Sequence, residues 1–204
     1  MPKPQSAPLA RAIESETARW QKILRAQIAL VRHGISPGSV DGVLGSQTRA
    51  ALRIFQRQTG LPTTGEIDTA TMERLDNAEQ PFSQYLITQE DVSRLRPLGR
   101  TWLEKSQQDR LEYETILELV AEKARSHPHL IERLNPSLDW THLSTGTAVN
   151  VPNTDSPPAT AKAAYLKISI GGRVLEAFDS ENNLLLHFPC SIAQRVEKRP
   201  IGEE

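Results

Sequence analysis

The sequence predicts an α+β protein: a bundle of three helices, then a small strand–helix–helix–strand module, then an incomplete antiparallel β meander. Apolar residues recur at helical spacing between Trp20 and Val31 and again along residues 113–124, whereas apolar and polar residues alternate after residue 164. The polar, proline-containing segment 154–163 separates the two patterns and is expected to be a linker. Because helices and strands have different side-chain periods, we expect helices first and the meander last.

Composition excludes several classes of protein. The 204 residues carry 24 Lys+Arg and 25 Asp+Glu, a net charge of -1, so no overall field attracts nucleic acid or anionic lipid. The single cysteine, Cys190, rules out an internal disulfide and argues against a cysteine-based metal site. No apolar stretch approaches the roughly 20 residues that span a bilayer. We therefore expect no membrane span, no metal, no cofactor and no nucleic-acid partner.

An internal repeat marks the first part, residues 10–80. Each copy predicts a glycine turn, an apolar anchor and a helix whose threonine and leucine face inward. Asp68 is expected to cap the second of these helices. The first copy consists of Gly42, Leu44, Thr48 and Leu52, and the second of Gly65, Ile67, Thr71 and Leu75 at the same spacing.

The segment GSVDGVLGSQTRAALRIFQRQTGLPTTGEIDTATMERL, residues 38–75, resembles the peptidoglycan-binding domain of bacterial wall enzymes. The resemblance implies that the chain binds the glycan and stem peptides of peptidoglycan in the cell envelope or periplasm. No signal peptide is visible at the N-terminus, MPKPQSAPLA. Most matching positions are expected to be structural, with glycines at turns and Phe55 in the core. The matches are Asp41, Gly42, Gly45, Thr48, Ala51, Leu52, Phe55, Gln56, Gly60, Leu61, Gly65, Asp68, Thr71 and Leu75.

Arg49, Arg53 and Arg57 recur every four residues, on the helix face opposite Leu52 and Phe55. Such a stripe is typical of a solvated helix face, but it also suits DNA phosphates or the carboxylates of a wall polymer. Residues 21–77 carry seven Lys+Arg and five Asp+Glu, an excess of 7 − 5 = 2, which is weak for DNA binding. With the resemblance added, wall binding is favoured. The candidate ligand contacts are Arg49, Arg53, Arg57, Gln56 and Asp41.

The second part, residues 82–153, is similar to a LysM module, a small strand–helix–helix–strand glycan binder. The similarity rests on ILELVAEKARSHPHLIERLNPSLDWTHLSTGTAVNVP, with a first strand predicted at residues 85–88. The segment 89–112 is an insertion at one rim of the usual glycan groove. His127 and His129 are expected at a helix start rather than at a metal. Trp140 is expected to pack in the core rather than stack on a sugar ring.

The third part, residues 164–204, predicts a hairpin that places Ile168 opposite Leu175 and Lys167 opposite Glu176. A third strand, LLLHFPCSIA, follows. This part resembles the opening of the catalytic domain of YkuD-type L,D-transpeptidases, which cross-link stem peptides. Arg199-Pro200-Ile201-Gly202 stands where that family has a proline–glycine turn that begins with threonine.

Catalysis is not expected from these 204 residues. The L,D-transpeptidase family uses a cysteine in a Ser/Thr-His-Gly-Cys motif, and no His-Gly-Cys occurs here. Cys190 is predicted to be a buried, inert thiol that shares a strand face with Leu184, Leu186, Phe188 and Ile192. His187 is predicted on the opposite face, where it cannot activate the thiol.

The function predicted is that of the wall-binding and targeting region of an L,D-transpeptidase-like protein, cut off early in its catalytic domain. The alternatives are a free-standing wall-binding adaptor or the targeting half of a lytic wall enzyme, and then a DNA-binding helical domain. A monomer is expected, although the exposed edges of the meander could pair with a neighbouring chain.

Overall fold

The computed structural model describes residues 7–75, 80–156 and 161–192 and confirms a mixture of helices and antiparallel strands. Among these residues, no helix is both long and apolar enough to cross a membrane. The helices are α1 Ala7–Arg32, α2 Ser46–Gln58, α3 Thr69–Leu75, α4 Gln89–Ser93, α5 Trp102–Ser106, α6 Ile116–Lys123 and α7 Pro128–Leu134. The strands are β1 Phe82–Leu86, β2 Ala148–Pro152, β3 Tyr165–Ser169, β4 Val174–Phe178 and β5 Leu184–Pro189.

Two compact units alternate along the chain. The first unit takes the described residues through Ile28, then Ser39–Val43, then residues 80–154. The second takes Ala29–Gly38, residues 44–75 and the described residues from Asp155 onward. α1 and the loop that follows it contribute residues to both units.

The core of the first unit lies between its sheet and two helices. β1 and β2 pair antiparallel, with Tyr85 opposite Val149. Ile87, Leu119, Ile131 and Val149 are almost completely buried, and Trp140 packs against this cluster, as expected. The loop Ser39–Val43 belongs to this unit because Val40 exchanges backbone hydrogen bonds with Arg125 and His127, both of 3.0 Å.

The first strand lies at Phe82–Leu86, so its prediction at residues 85–88 was wrong by three residues at the start. β1 ends at Leu86, and Thr88 is the N-cap residue of α4, where it forms a capping box with Asp91. The Thr88 hydroxyl accepts from the N–H of Asp91, and the Asp91 carboxylate accepts from the N–H of Thr88. This reciprocal pair favours a helix start at Gln89, directly after Thr88, whose backbone is still extended.

Asp91 is 1% exposed and its carboxylate holds three segments of the first unit together. It accepts hydrogen bonds from Nζ of Lys123 at 2.6 Å, from the hydroxyl of Tyr85 at 2.6 Å and from the N–H of Thr88 at 2.9 Å. Burial alone raises the pKa of Asp91, but these hydrogen bonds outweigh burial and hold the pKa well below its usual range.

His127 caps α7, because its Nδ1 accepts from the N–H of His129 at 3.2 Å. His129 lies beside Glu132, with 3.0 Å between the ring Nδ1 and the carboxylate. Within residues 7–75, 80–156 and 161–192, no cluster of three or more His, Cys, Asp or Glu residues could hold a metal ion. His127 and His129 lie at the start of α7, where the sequence predicted a helix start.

The second unit joins the C-terminal end of α1 to the meander. α1 ends at Arg32, and Gly34 follows in the left-handed conformation with φ +73°, which is typical of the residue that closes a helix. The carbonyl of Gly34 accepts from the N–H of His187 at 3.0 Å, and the N–H of Ser36 donates to His187 O at 2.8 Å. β5 thus pairs with β4 on one side and with residues 34–36 on the other.

The predicted register of the meander is confirmed. Ile168 lies opposite Leu175, and Lys167 lies opposite Glu176. β5 pairs with the other side of β4, with His187 opposite Glu176 and Leu186 opposite Ala177.

The predicted buried face of β5 was wrong. His187 is 2% exposed, whereas Phe188 is 38% exposed. A bulge between Ala177 and Phe178 leaves Leu185 unpaired, so Leu184 and Leu186 do not share one face as simple alternation predicted.

Cys190 also departs from its prediction. β5 ends at Pro189, and Cys190 follows the strand as a half-buried free thiol. Its N–H donates to the carbonyl of Arg173 at 2.8 Å.

Candidate functional site

The first glycine turn, Asp41–Gly42–Val43, is held by the buried side chain of Gln27 on α1. The amide oxygen of Gln27 accepts from the N–H of Gly42 at 2.7 Å, and its amide nitrogen donates to the carbonyl of Val43 at 3.2 Å. The same nitrogen donates to Oδ1 of Asp41 at 2.9 Å, and that oxygen accepts from the N–H of Val43 at 2.8 Å.

A side chain at position 42 would meet Trp20 directly. Gly42 has φ +78°, and a Cβ atom there would overlap Nε1 of Trp20. The indole nitrogen donates to the carbonyl of Asp41 at 3.4 Å, and the guanidinium carbon of Arg133 lies 3.8 Å from the ring centre. Both the backbone conformation and the covering ring therefore require glycine.

The second glycine turn, Thr64–Gly65–Glu66, repeats this arrangement with Gln56 of α2. The amide oxygen of Gln56 accepts from the N–H of Gly65 at 2.8 Å, and its nitrogen donates to the carbonyl of Glu66 at 3.0 Å. The nitrogen also lies 3.1 Å from Oγ1 of Thr64, which accepts from the N–H of Glu66 at 3.1 Å. A further hydrogen bond of 3.0 Å reaches Oγ1 of Thr71.

Gln56 and Asp41 therefore belong to the framework of the turns. Gln56 is 0% exposed, and its amide is engaged on both sides within the second unit. Asp41 is half-buried, and its carboxylate is engaged by Gln27 and Val43. A polymer that contacted the buried Gln56 amide would have to break these hydrogen bonds, so we assign Gln56 to holding the second turn, whereas Asp41 holds the first turn through Oδ1.

The other motif residues also lie where a structural role requires them. Asp68 accepts from the N–H of Thr71 at 2.7 Å, which is the predicted cap of α3. Gly45 precedes α2 as its N-cap residue, without a side-chain cap. The inward-facing residues of both copies are at most 2% exposed: Thr48, Leu52, Phe55, Thr71 and Leu75.

The three arginines of α2 differ in their surroundings. Arg49 forms an ion pair with Glu66, at the rim of the second turn. Arg53 is exposed, and its guanidinium lies close to Gly65, where a Cβ atom would come within 3.0 Å of Nε. Arg57 is exposed one turn further along. Within the described parts of the chain, neither Arg53 nor Arg57 forms an ion pair, so both guanidinium groups are available to an outside anion.

The role of Gln27 was not recognised from the sequence. It lies in the apolar stripe of α1, between Leu24 and Ile28, and is only 1% exposed. A polar side chain inside an apolar helix stripe must find hydrogen-bond partners when it is buried, and this was the signal available.

Comparison with known proteins supports the first resemblance. Residues 21–75 match the model of a family described as "Putative peptidoglycan binding domain", a segment that contains both glycine turns and all three arginines. The chain is also 42% identical over 65 residues to the "Putative OxPP cycle protein OpcA" of Synechococcus elongatus. That match covers 32% of the chain and 13% of the relative, so the chain spans a small part of this curated protein.

Proposed function

We propose that residues 21–75 bind peptidoglycan, and that the exposed arginines of α2 contact the carboxylates of its stem peptides. The observation that carries this proposal is the family match, which spans the repeat and the arginine stripe together. Arginine suits the task because its planar fork donates two parallel hydrogen bonds to one carboxylate.

The ion pair of Arg49 with Glu66 indicates which arginines of the stripe a polymer carboxylate can bind directly. A protein carboxylate already lies against the first arginine, at the rim of the second turn. A wall carboxylate would have to displace Glu66 to reach Arg49, whereas Arg53 and Arg57 can accept one without breaking an ion pair. We therefore propose Arg53 and Arg57 as the principal contacts and Arg49 as a secondary one.

The finer assignments rest on resemblance. We propose that α1, α2 and α3 form the compact bundle of the family, and that residues 82–153 form a LysM-like module. The antiparallel pairing of β1 with β2 around α6 and α7 supports the second assignment. The insertion, residues 89–112, contains α4 and α5. We propose that it obstructs one rim of the glycan groove of this module.

For residues 164–204 we propose the opening of an L,D-transpeptidase-type catalytic domain, so that the parent protein would act in peptidoglycan cross-linking in the cell envelope. The hairpin register supports this proposal, and no catalytic residue is assigned in this chain. Residues 193–204, including the proline–glycine turn, lie outside the described residues. The competing proposals remain a wall-binding adaptor and the targeting half of a lytic enzyme.

Binding to purified peptidoglycan sacculi tests the proposal. The chain is incubated with sacculi or with DNA of similar charge, and the bound fraction is measured after sedimentation or capture. We expect binding to sacculi and its loss when Arg49, Arg53 and Arg57 are all replaced by glutamine, a good helix former. The control removes the same charge at Arg96, Arg100 and Arg110, which are exposed outside the matched segment. Preference for DNA, or equal losses in both variants, would contradict the proposal.

A further inference from the structure

Residues 96–112 of the first unit form a closed surface loop, here called the 96–112 loop. Its ends are joined by a hydrogen bond of 2.8 Å from the N–H of Arg96 to the carbonyl of Tyr113. Inside the loop, the side-chain oxygen of Gln108 accepts from the N–H of Gly99 at 3.0 Å. The loop is therefore held by its own hydrogen bonds, as in other compact surface loops whose ends lie close together.

The short helix α5 in this loop directs apolar side chains into solvent. The Thr101 hydroxyl accepts from the N–H of Glu104 at 3.1 Å, and the Glu104 carboxylate accepts from the N–H of Thr101 at 3.0 Å. Trp102 and Leu103 begin the helix that this capping box fixes, and they are 89% and 68% exposed. Leu111, also in the loop, is 63% exposed. Exposed apolar side chains that are adjacent on an ordered element indicate a binding surface.

The loop also carries arginines that are free to meet an anion. Its sequence contains four basic and three acidic residues. The carboxylate of Glu112 lies 3.6 Å from Nε of Arg96, and that of Glu104 is used by the capping box. Arg100 and Arg110 are exposed, and neither forms an ion pair within residues 7–75, 80–156 and 161–192. The charge of the loop therefore complements an anionic surface.

The combination of side chains decides between kinds of ligand. An indole ring could stack on a sugar, but Leu103 and Leu111 would then have no role. A lipid surface uses all of them, since indole rings lie at the headgroup level, leucines reach the acyl boundary and cations meet anionic headgroups. Nζ of Lys105 lies 5.9 Å from the ring centre of Trp102, so a cation and the indole lie side by side.

We propose that the 96–112 loop binds the surface of an anionic lipid bilayer. Trp102 and Leu103 enter the headgroup region, and Arg100 and Arg110 contact the lipid phosphates. The contact is peripheral and local, because the whole chain has a net charge of -1 and offers no overall attraction. It does not rest on the wall-binding proposal, since the loop lies outside residues 21–75.

Vesicle sedimentation with the whole chain tests the proposal. The probes are vesicles of equal parts phosphatidylcholine and phosphatidylglycerol, and vesicles of phosphatidylcholine alone. We expect roughly tenfold or more tighter binding to the anionic vesicles, because each basic residue near such a surface adds attraction. Added salt should reduce the difference. Equal binding to both kinds of vesicle, or binding to neither, would overturn the proposal.

Apolar variants locate the surface. Trp102→Ala should weaken binding to the anionic vesicles roughly tenfold or more, because the buried area of the ring is lost. Leu103→Ala should weaken it less. Leu86→Ala is the matched control, since Leu86 is 58% exposed on β1 of the same unit and should leave binding unchanged. Circular dichroism verifies that each variant folds. Equal binding by all three variants and the unchanged chain would exclude the loop.

Charge variants test the second part of the contact. Replacing Arg100 and Arg110 together by glutamine should weaken binding to the anionic vesicles roughly tenfold or more. The matched control removes the same charge at Lys162 and Lys167, which are exposed in the other unit. Equal losses in the two double variants would show attraction by total charge, and would contradict a local site.

Fluorescence quenching places the indole in the bilayer. Lipids brominated in the acyl chain should quench the chain when it binds, and Trp102→Phe should remove most of this quenching. Trp20 and Trp140 remain in that variant and report any other contact. Quenching that persists in Trp102→Phe would assign lipid binding to a different surface.

Sacculus binding separates this proposal from the wall-binding one. Trp102→Ala should keep its binding to sacculi while it loses binding to vesicles. Loss of sacculus binding in this variant, without vesicle binding by the unchanged chain, would assign the loop to the wall polymer and overturn the lipid proposal. Vesicle binding by a chain that ignores sacculi would support the lipid proposal and contradict wall binding alone.

Discussion

Gln27 and Gln56 hold the two glycine turns with equivalent hydrogen bonds. Each accepts from the N–H of a left-handed glycine and donates to the carbonyl of the residue that follows it. The repeat that is visible in the apolar residues therefore extends to buried polar groups. The two glutamines lie at different distances along the chain from their turns, so their equivalence is one of geometry and not of spacing.

Replacing either glutamine by leucine should destabilise the unit that contains it. The change removes the acceptor of a buried glycine N–H, and a buried unpaired group costs about 1–3 kcal/mol. Chemical denaturation followed by circular dichroism measures the loss. Gln58→Leu is the matched control, because Gln58 is exposed and its hydrogen bond to Leu184 lies at the surface. Similar stability of all three variants would show that the hydrogen bonds of the two glutamines contribute nothing to the free energy of unfolding.

Phe55→Ala should cost about 3–5 kcal/mol, the usual range for a large core truncation. Phe55 is 2% exposed, and its ring centre lies 5.1 Å from that of His33. The thermal midpoint of unfolding is the measurement. An unchanged midpoint would mean that the helix does not use this face for packing.

Single substitutions in the arginine stripe should weaken sacculus binding most where the arginine forms no ion pair. Arg53→Gln and Arg57→Gln should each weaken sacculus binding more than Arg49→Gln, because Arg49 already pairs with Glu66. Glu66→Gln should strengthen binding by releasing Arg49. Bound fractions at several salt concentrations measure the effect, which salt should reduce. Weaker binding by the Glu66 variant would contradict the proposed competition.

Asp91→Asn should destabilise the first unit at neutral pH by about 1.5–3 kcal/mol, the range for hydrogen bonds to a charged group. The folded-state pKa of Asp91 is lowered, so its contribution is fully present above the unfolded-state value of about 3.9. It is lost as the pH falls below that value toward the folded-state pKa. Denaturation at pH 7 and at pH 3 should show a smaller difference between the two proteins in acid. A constant difference would exclude Asp91 ionisation as its cause.

Hydrogen exchange should be uneven within the meander. Every residue of β3 except Ser169 is exposed, and β3 pairs along one side only among the described residues. Its amides should exchange much faster than those of α2 at residues 48–58. The amide of His187 should be slower than those of β3, because it donates to Gly34. Protection of β3 equal to that of α2 would contradict the marginal stability expected of this hairpin.

Local patterns predicted much of this fold. The helix start at His127 and His129 and the pairing of Ile168 with Leu175 follow from proline geometry and a two-residue turn. The Thr88–Asp91 capping box was also visible as a short motif, although the strand prediction overlooked it.

Contacts between distant residues could not be predicted in this way. The face of β5 that is buried depends on the pairing of His187 with Gly34 and Ser36, which lie far earlier in the chain. Ser46 and Arg173, which line one cavity of the second unit, likewise come together through long-range contacts. Alternation divides a strand into two faces, but the long-range partners decide which face is covered.

The bridge between residues 34–36 and His187 limits how this protein can exchange parts with others during evolution. A recombination event that transferred residues 21–75 alone would deprive Gly34 O and Ser36 N–H of their partners in β5. The recipient would have to supply an equivalent strand edge, or expose two backbone groups that are satisfied here. The smallest heritable block that preserves this bridge therefore includes β5, although β5 lies outside the segment that matches the family.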